Sequence, residues 1–472
     1  MNLVITGATL PGGRSTDLFI TDGRFAAEPA KGATVLDGAG LTALPGLVDL
    51  HTHLREPGYE QSETVLTGSR AAAAGGFTAV HAMANTSPVA DTAGVVEQVH
   101  SLGAQHGYVT VRPIGAVTMG LEGERLSEIG AMAGSRARVS VFSDDGRCVS
   151  DALLMRRALE YVKTFGGVIA QHAQEPRLTE KAQMNEGALS GELGLAGWPA
   201  VAEEAIIARD VLLAQHVGAR LHICHVSTAG SVEVVRWAKA RGIDVTAEAT
   251  PHHLLLTEEL ARSYDSRFKV NPPLRRDEDV HALRAALADG TIDIVATDHA
   301  PHPLESKECA WDEASFGMVG LESALSVVQL ALVDSGLLGW SDVARVMSAK
   351  PAQIGGLAGY DAAFAVGSLA NVTLYDSAAS RVFGLDDLRG KGLNTPYLGR
   401  RLPGRVVATI HNGYPTVLDG ELLDAATVAA SAVAASAVAS ASVSVSASAA
   451  PPASPAPPAS SASAADPRNP SA

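Results

Sequence analysis

The chain has 472 residues, enough for one large domain with an accessory one or for two to three ordinary domains. Its 36 basic and 51 acidic residues give a formal net charge of −15, which excludes a broad phosphate-binding face and with it a non-specific nucleic-acid partner. Three cysteines, Cys148, Cys224 and Cys309, form no close pair, which excludes a disulfide framework or thiolate zinc finger and predicts a reducing, cytoplasmic setting.

Met1 leads straight into strand-like alternation, without a basic, apolar signal. Residues 1–45 hold short alternating strands at 2–6 and 18–21, the latter running into Asp22-Gly23, a pair that tolerates positive φ and marks a hairpin. A different rhythm follows over 46–364. Apolar strands are expected at 47–50, 78–83, 109–114, 139–142, 168–171, 220–224, 244–247 and 292–297. Stretches between them, such as 151–165 and 231–241, are long enough for helices. Alternating β and α units imply parallel pairing, and eight of them suit an α/β fold of the closed (β/α)8 TIM-like type. An open dinucleotide-binding sheet would carry a Gly-rich turn after its first strand, where His51-Thr52-His53 stands instead. Residues 365–424 return to strands and turns, at 370–375 and at 405–411 with Asn412-Gly413. A small composite β-sandwich built from 1–45 and 365–424 is therefore expected beside the barrel. From 425 to 472 the composition is Ala, Ser, Val and Pro almost throughout, with Asp466 and Arg468 as its charges, which predicts a disordered tail. Its Val and Ala are too interrupted by Ser for a membrane helix.

Active sites of such barrels lie at the C-terminal ends of the strands. Those positions carry Asp49, His51, His53 and Arg55 on strand 1, Asn85 after strand 2 and Asp144-Asp145-Gly146 after strand 4. His172 follows strand 5, His225 strand 6, and Asp298, His299 and His302 strand 8. In His51-x-His53 the two rings project from one side of an extended strand and can reach one ion. Imidazole and carboxylate donors without thiolate suit Zn²⁺, with Mn²⁺, Co²⁺ or Fe²⁺ as substitutes. Each residue alone has a bland reading as a core histidine or a helix cap; their joint placement on one rim does not. His252 and His253 are expected behind the ligands or at the substrate rim, and Cys224 on the opposite strand face, in the core. Lys163, in a helix, has no catalytic role.

The run Pro45-Gly46-Leu47-Val48-Asp49-Leu50-His51-Thr52-His53 resembles the signature of amidohydrolase-superfamily cyclic amidases. His53-Leu54-Arg55-Glu56-Pro57-Gly58, Met83-Ala84-Asn85-Thr86-Ser87-Pro88 and Asn271-Pro272-Pro273-Leu274-Arg275 are similar to those of the bacterial type I dihydroorotases, as is Thr297-Asp298-His299-Ala300-Pro301-His302. The resemblance covers nearly all of the chain before the tail. It implies two Zn²⁺ ions, one held by His51, His53 and Asp298, the other by His172 and His225. Many relatives bridge the pair with a carboxylated lysine; here the bridge falls to Asp145, with Asp144 the fallback. It also implies that a hydroxide between the metals attacks a ring carbonyl while Asp298 shuttles the proton. Arg55, Asn85 and His302 would hold the substrate carboxylate, and Asn271 with the backbone of Phe316 and Gly317 the ring amide. The implied substrates are N-carbamoyl-L-aspartate and L-dihydroorotate. A homodimer and an aspartate transcarbamoylase complex are the implied protein partners. The polar stretch 303–315 reads as a mobile lid or an ordinary exposed loop. Hydantoinase, dihydropyrimidinase, allantoinase and a non-catalytic transcarbamoylase subunit are the rival readings.

Overall fold

A computed structural model describes residues 1–360 and 363–431. The expected barrel strands are present as β6 (Leu47–Thr52), β7 (Phe77–Ala82), β8 (Thr110–Pro113), β9 (Val141–Phe142) and β10 (Val168–Gln171), then β13 (Arg220–Ile223), β14 (Val245–Ala249) and β15 (Ile294–Val295). The hydrogen-bonded orders β6-β7-β8 and β9-β10-β13-β14-β15 are parallel throughout. Parallel bridges from Gly115 to Phe142 and from Thr52 to His299 join the two runs into a closed ring. Every residue of β6, β7 and β10 is buried, as strands covered by helices on one face and by the barrel interior on the other must be. Between β10 and β13 lies a small pair, β11 (Met184–Asn185) and β12 (Gly197–Trp198).

The helices form where caps and apolar spacing agree. In Ala152–Lys163 the Asp151 carboxylate accepts from the Leu154 amide at 2.7 Å, and Met155, Ala158, Leu159 and Val162 form the buried stripe. Ala229–Ala240 starts at the Thr228 cap in the same way. Their buried faces join one large apolar cluster with the outer faces of the strands. A second cluster, including Leu50, Ile114, Ala170 and Ile294, fills the barrel interior below the site.

Both ends of the chain meet in one composite β unit, as expected. β1 (Leu3–Thr9), β2 (Ser15–Thr21), β3 (Arg24–Ala26), β4 (Thr34–Asp37) and β5 (Thr42–Pro45) come from the N-terminal part. β16 (Val372–Val382), β17 (Arg401–His411), β18 (Tyr414–Leu418) and β19 (Glu421–Leu422) come from the C-terminal part. The antiparallel pairing of β5 with β16, Val372 opposite Pro45, joins them into one hydrogen-bonded path around its own apolar cluster. The first residues of the tail expected from 425 are ordered. Residues 425–431 are helical, Asp424 caps them by accepting from the Thr427 amide at 2.9 Å, and Val428 is buried in the main core. The rest of the predicted tail, 432–472, lies outside the described residues. Among the described residues no helix is long and apolar enough to cross a membrane.

Candidate active site

The C-terminal mouth of the barrel brings the predicted histidines and aspartates together. β6 shifts register between Asp49 and Thr52, and both His51 and His53 face the centre. The strand-end residues His225 and Asp298 have φ of 30° and 47°, so the chain leaves strand geometry there and turns their side chains inward. One Asp145 oxygen lies 3.3 Å from His51 Nε2, 3.2 Å from His172 Nδ1 and 3.4 Å from His225 Nε2; the other is 3.3 Å from His53 Nε2. Asp298 Oδ1 stands 3.4 Å from His51 Nε2 and 3.1 Å from His53 Nε2. Asp144 points elsewhere. It accepts from the Val117 and Thr118 amides at 2.7 and 2.9 Å and from the Thr118 hydroxyl.

The tautomers show what the cluster is built to hold. His51 Nδ1 donates to Glu248 at 2.6 Å and His53 Nδ1 to the Asn85 carbonyl oxygen at 2.9 Å. Both Nε2 atoms are then bare lone pairs aimed at two carboxylates, and His51 Nε2 is buried without a hydrogen bond. His172 Nε2 donates to Gln174 Oε1 at 2.8 Å, which leaves its Nδ1 bare, 2.8 Å from His225 Nε2. Lone pairs so placed repel one another unless a proton or a cation stands between them. Burial would lower the His51 imidazolium, but Asp145, Asp298 and Glu248 outweigh it and push it well above its ordinary value. Burial would raise the carboxyls, yet the His51 charge and the bonds to His172 and His225 hold Asp145 well below the usual range. His51 and His53 likewise hold Asp298 down to about 2. His51, His53 and Asp145 form one group of closely spaced donors, and Asp145, His172 and His225 a second, so the donor set fits divalent metal.

Glu248 was missed because the expected strand 7 ended at 247, whereas β14 continues to Ala249. A lone carboxylate in that apolar strand is the signal that could have found it. It accepts from His51, from His222 Nε2 at 2.9 Å and from the His225 amide at 3.1 Å. Cys224 is a core residue, as expected, in the apolar cluster with Leu50, Ile114 and Ala170, and its sulfur lies within 4.8 Å of donor atoms of His51 and Glu248. Burial pushes its thiol up, so it remains a thiol. His253 is tied to Thr250 and to the Pro272 carbonyl, and His252, its ring 4.5 Å from that of His253, is held down to about 4 by burial; neither joins the closely spaced donor groups among the described residues.

Around the metal-type centre, Arg55 is half-buried with a left-handed φ of 62°, and its Nε donates to the Pro301 carbonyl at 3.2 Å. Among the described residues no carboxylate lies within ion-pair distance of its guanidinium. His302 Nε2 donates to the Phe316 carbonyl at 2.7 Å, and burial together with the Arg55 charge pushes His302 down to about 3, keeping it neutral. Asn271 Nδ2 donates to Gln174 at 3.2 Å, and its Oδ1 is buried without a partner. The Gly317 amide donates to the Lys269 carbonyl at 3.0 Å. The 303–315 stretch is docked: Lys307, Trp311 and Ala314 are buried.

The family described as Dihydro-orotase-like matches residues 40–231. The chain is 75% identical to the dihydroorotase of Leifsonia xyli subsp. xyli over 89% of its own length and 97% of that protein. The chain belongs to the dihydroorotase family. Family members in Streptomyces coelicolor and Mycobacterium tuberculosis are 64% and 52% identical, each over 89% of this chain and over 99% and 100% of their own lengths. Among solved structures, L-hydantoinase from Arthrobacter aurescens superposes with a TM-score of 0.79 at 25% identity, covering 90% of this chain and 97% of that one. Dihydropyrimidinase from Brevibacillus agri gives 0.78 at 20% identity over 91% and 97%, a likeness of fold alone.

Proposed function

We propose that this chain is a cytoplasmic, zinc-dependent dihydroorotase that reversibly cyclises N-carbamoyl-L-aspartate to L-dihydroorotate and water in de novo pyrimidine (UMP) synthesis. Family membership sets the reaction type, and Arg55 carries the choice of substrate: a half-buried guanidinium at the mouth, without a carboxylate partner among the described residues, suits an anionic ring rather than a neutral one. His51, His53, Asp145 and Asp298 would hold one Zn²⁺ ion, and Asp145, His172 and His225 the other. Bound there, the ions supply a water of lowered pKa and polarise the ring carbonyl.

The remaining work falls to the chain's own residues. Asp298, ionised and 3.1 Å from His53, accepts the proton of the attacking water and returns it to the departing ring nitrogen. Glu248 and Asn85 hold the His51 and His53 rings with Nε2 bare. Arg55 and the Asn85 amide nitrogen take the substrate carboxylate, and His302 joins them by exchanging the Phe316 carbonyl for it. The unpartnered Oδ1 of Asn271 receives the ring N–H beside the Phe316–Gly317 backbone.

Ring opening of L-dihydroorotate is to be measured beside hydantoin, dihydrouracil and allantoin, on wild type and Arg55→Met. Wild type should favour dihydroorotate, and the variant should lose roughly ten- to a hundredfold in kcat/KM for dihydroorotate alone, the worth of one charged hydrogen-bonding pair. Absent dihydroorotate turnover with rapid turnover of a neutral ring would sink the proposal. The complete donor set argues against a purely scaffolding subunit. Assembly as a homodimer or with aspartate transcarbamoylase accords with catalysis.

A further inference from the structure

Two lysines stand apart from the catalytic donor set. Lys307 and Lys269 are 5% and 1% exposed, and among the described residues neither has a carboxylate within ion-pair distance. Their ammonium groups meet backbone carbonyls instead. Lys307 Nζ donates to Ser315 at 2.7 Å, Gly317 at 3.1 Å and Lys269 at 3.3 Å. Lys269 Nζ donates to Trp311 at 2.6 Å and Asp312 at 3.3 Å, and sits 4.4 Å over the Phe316 ring. A buried ammonium is expensive: burial lowers Lys307 to about 7 and Lys269 to about 8. Apolar residues of the same length would fill the space without that cost, so the bonds made are what the charge contributes.

Those bonds have a particular geometry. The three carbonyls at Lys307 come from two segments, 315–317 and Lys269, and the Gly317 amide crosses the same gap to Lys269. Two residues beyond Lys269 is Asn271, and beside Gly317 is Phe316. These are the groups assigned to the ring amide on the dihydroorotase reading, on which this inference rests. We propose that Lys307 is a positioning residue whose ammonium clamps the 315–317 segment to the 269–271 segment, fixing the separation of the two sets of ring-amide contacts. The 303–317 loop is thereby a built wall of the substrate pocket rather than a free lid.

The test uses full-length, zinc-loaded wild type, Lys307→Met and Lys307→Gln with L-dihydroorotate. Methionine keeps an unbranched apolar stem and removes every donor; glutamine restores two N–H groups. The Met variant should raise KM by about tenfold or more, with kcat changed only a few-fold and zinc content unchanged, and the Gln variant should fall between it and wild type. A folded, zinc-loaded Met variant with wild-type KM, or a loss confined to kcat, overturns the clamp. Should the Met variant not fold, an unchanged KM in the Gln variant overturns it equally. Wild type without dihydroorotate turnover would refute the activity reading itself, whereas wild-type turnover with unaltered variant KM refutes only the clamp.

Discussion

At the scale of single residues, the site is a matter of which nitrogen carries the proton. Glu248 and Asn85 take the Nδ1 protons of His51 and His53, and the bare Nε2 atoms converge on Asp145 and Asp298. Asp298, like Asp145, lies beside both rings of the first pair. Replacing Asp298 by Asn keeps the shape but removes the proposed proton acceptor. Asp298→Asn should cut turnover of N-carbamoyl-L-aspartate roughly a thousandfold or more while zinc is retained by the other five side chains; kinetics and metal analysis on the same preparation check this, and near-normal turnover would refute the shuttle. The donor residues were legible because His51, His53, His172, His225 and Asp298 all fall at strand ends. Spacing alone does not separate Asp145 from Asp144, since adjacent residues differ only in direction; the family resemblance favours Asp145. The Val117 and Thr118 amides decide it by capturing Asp144.

At the scale of elements, the strands were placed to within a few residues because apolar β-branched runs are their own signal. Their ends were less visible. β15 is only Ile294–Val295, because the chain swings out toward Asp298, and β14 runs on to Ala249. The short helix at 425–431 was hidden by a composition that elsewhere signals disorder. What orders it is tertiary: Val428 enters the main core, and the Tyr108 hydroxyl donates to the Leu423 carbonyl at 2.7 Å just before it. Val428→Ala should cost about 2 kcal/mol of stability, read as a lower urea midpoint at unchanged slope, from lost apolar burial and a residual cavity. An unchanged midpoint would mean the helix does not dock.

At the scale of the whole molecule, two buried histidines outside the donor cluster, His81 and His411, make folding sensitive to acid. Burial lowers both His81 and His411 from 6.5 to about 4. The unfolded chain therefore binds their protons first as pH falls. The stability each contributes is complete above 6.5 and is lost as pH drops from 6.5 toward 4. The urea midpoint should fall between pH 7 and pH 5, and His411→Gln should reduce that fall by about 2 kcal/mol in free energy. Equal falls in variant and wild type would show that His411 takes no part.

The sequence by itself determined the β/α alternation, the pairing of the two chain ends and the identity of most donor residues, because periodicity and residue type are local properties. Only the tertiary structure decided the tautomers, the turn of Asp145 toward the cluster, the support from Glu248 and the burial of Lys269 and Lys307. Each of these depends on a hydrogen-bond partner supplied by a distant segment: Glu248 lies 197 residues from His51, and Lys269 lies 38 from Lys307. The net charge of −15 excludes a nucleic-acid surface but says nothing of the pocket, where Arg55 stands without a carboxylate partner among the described residues.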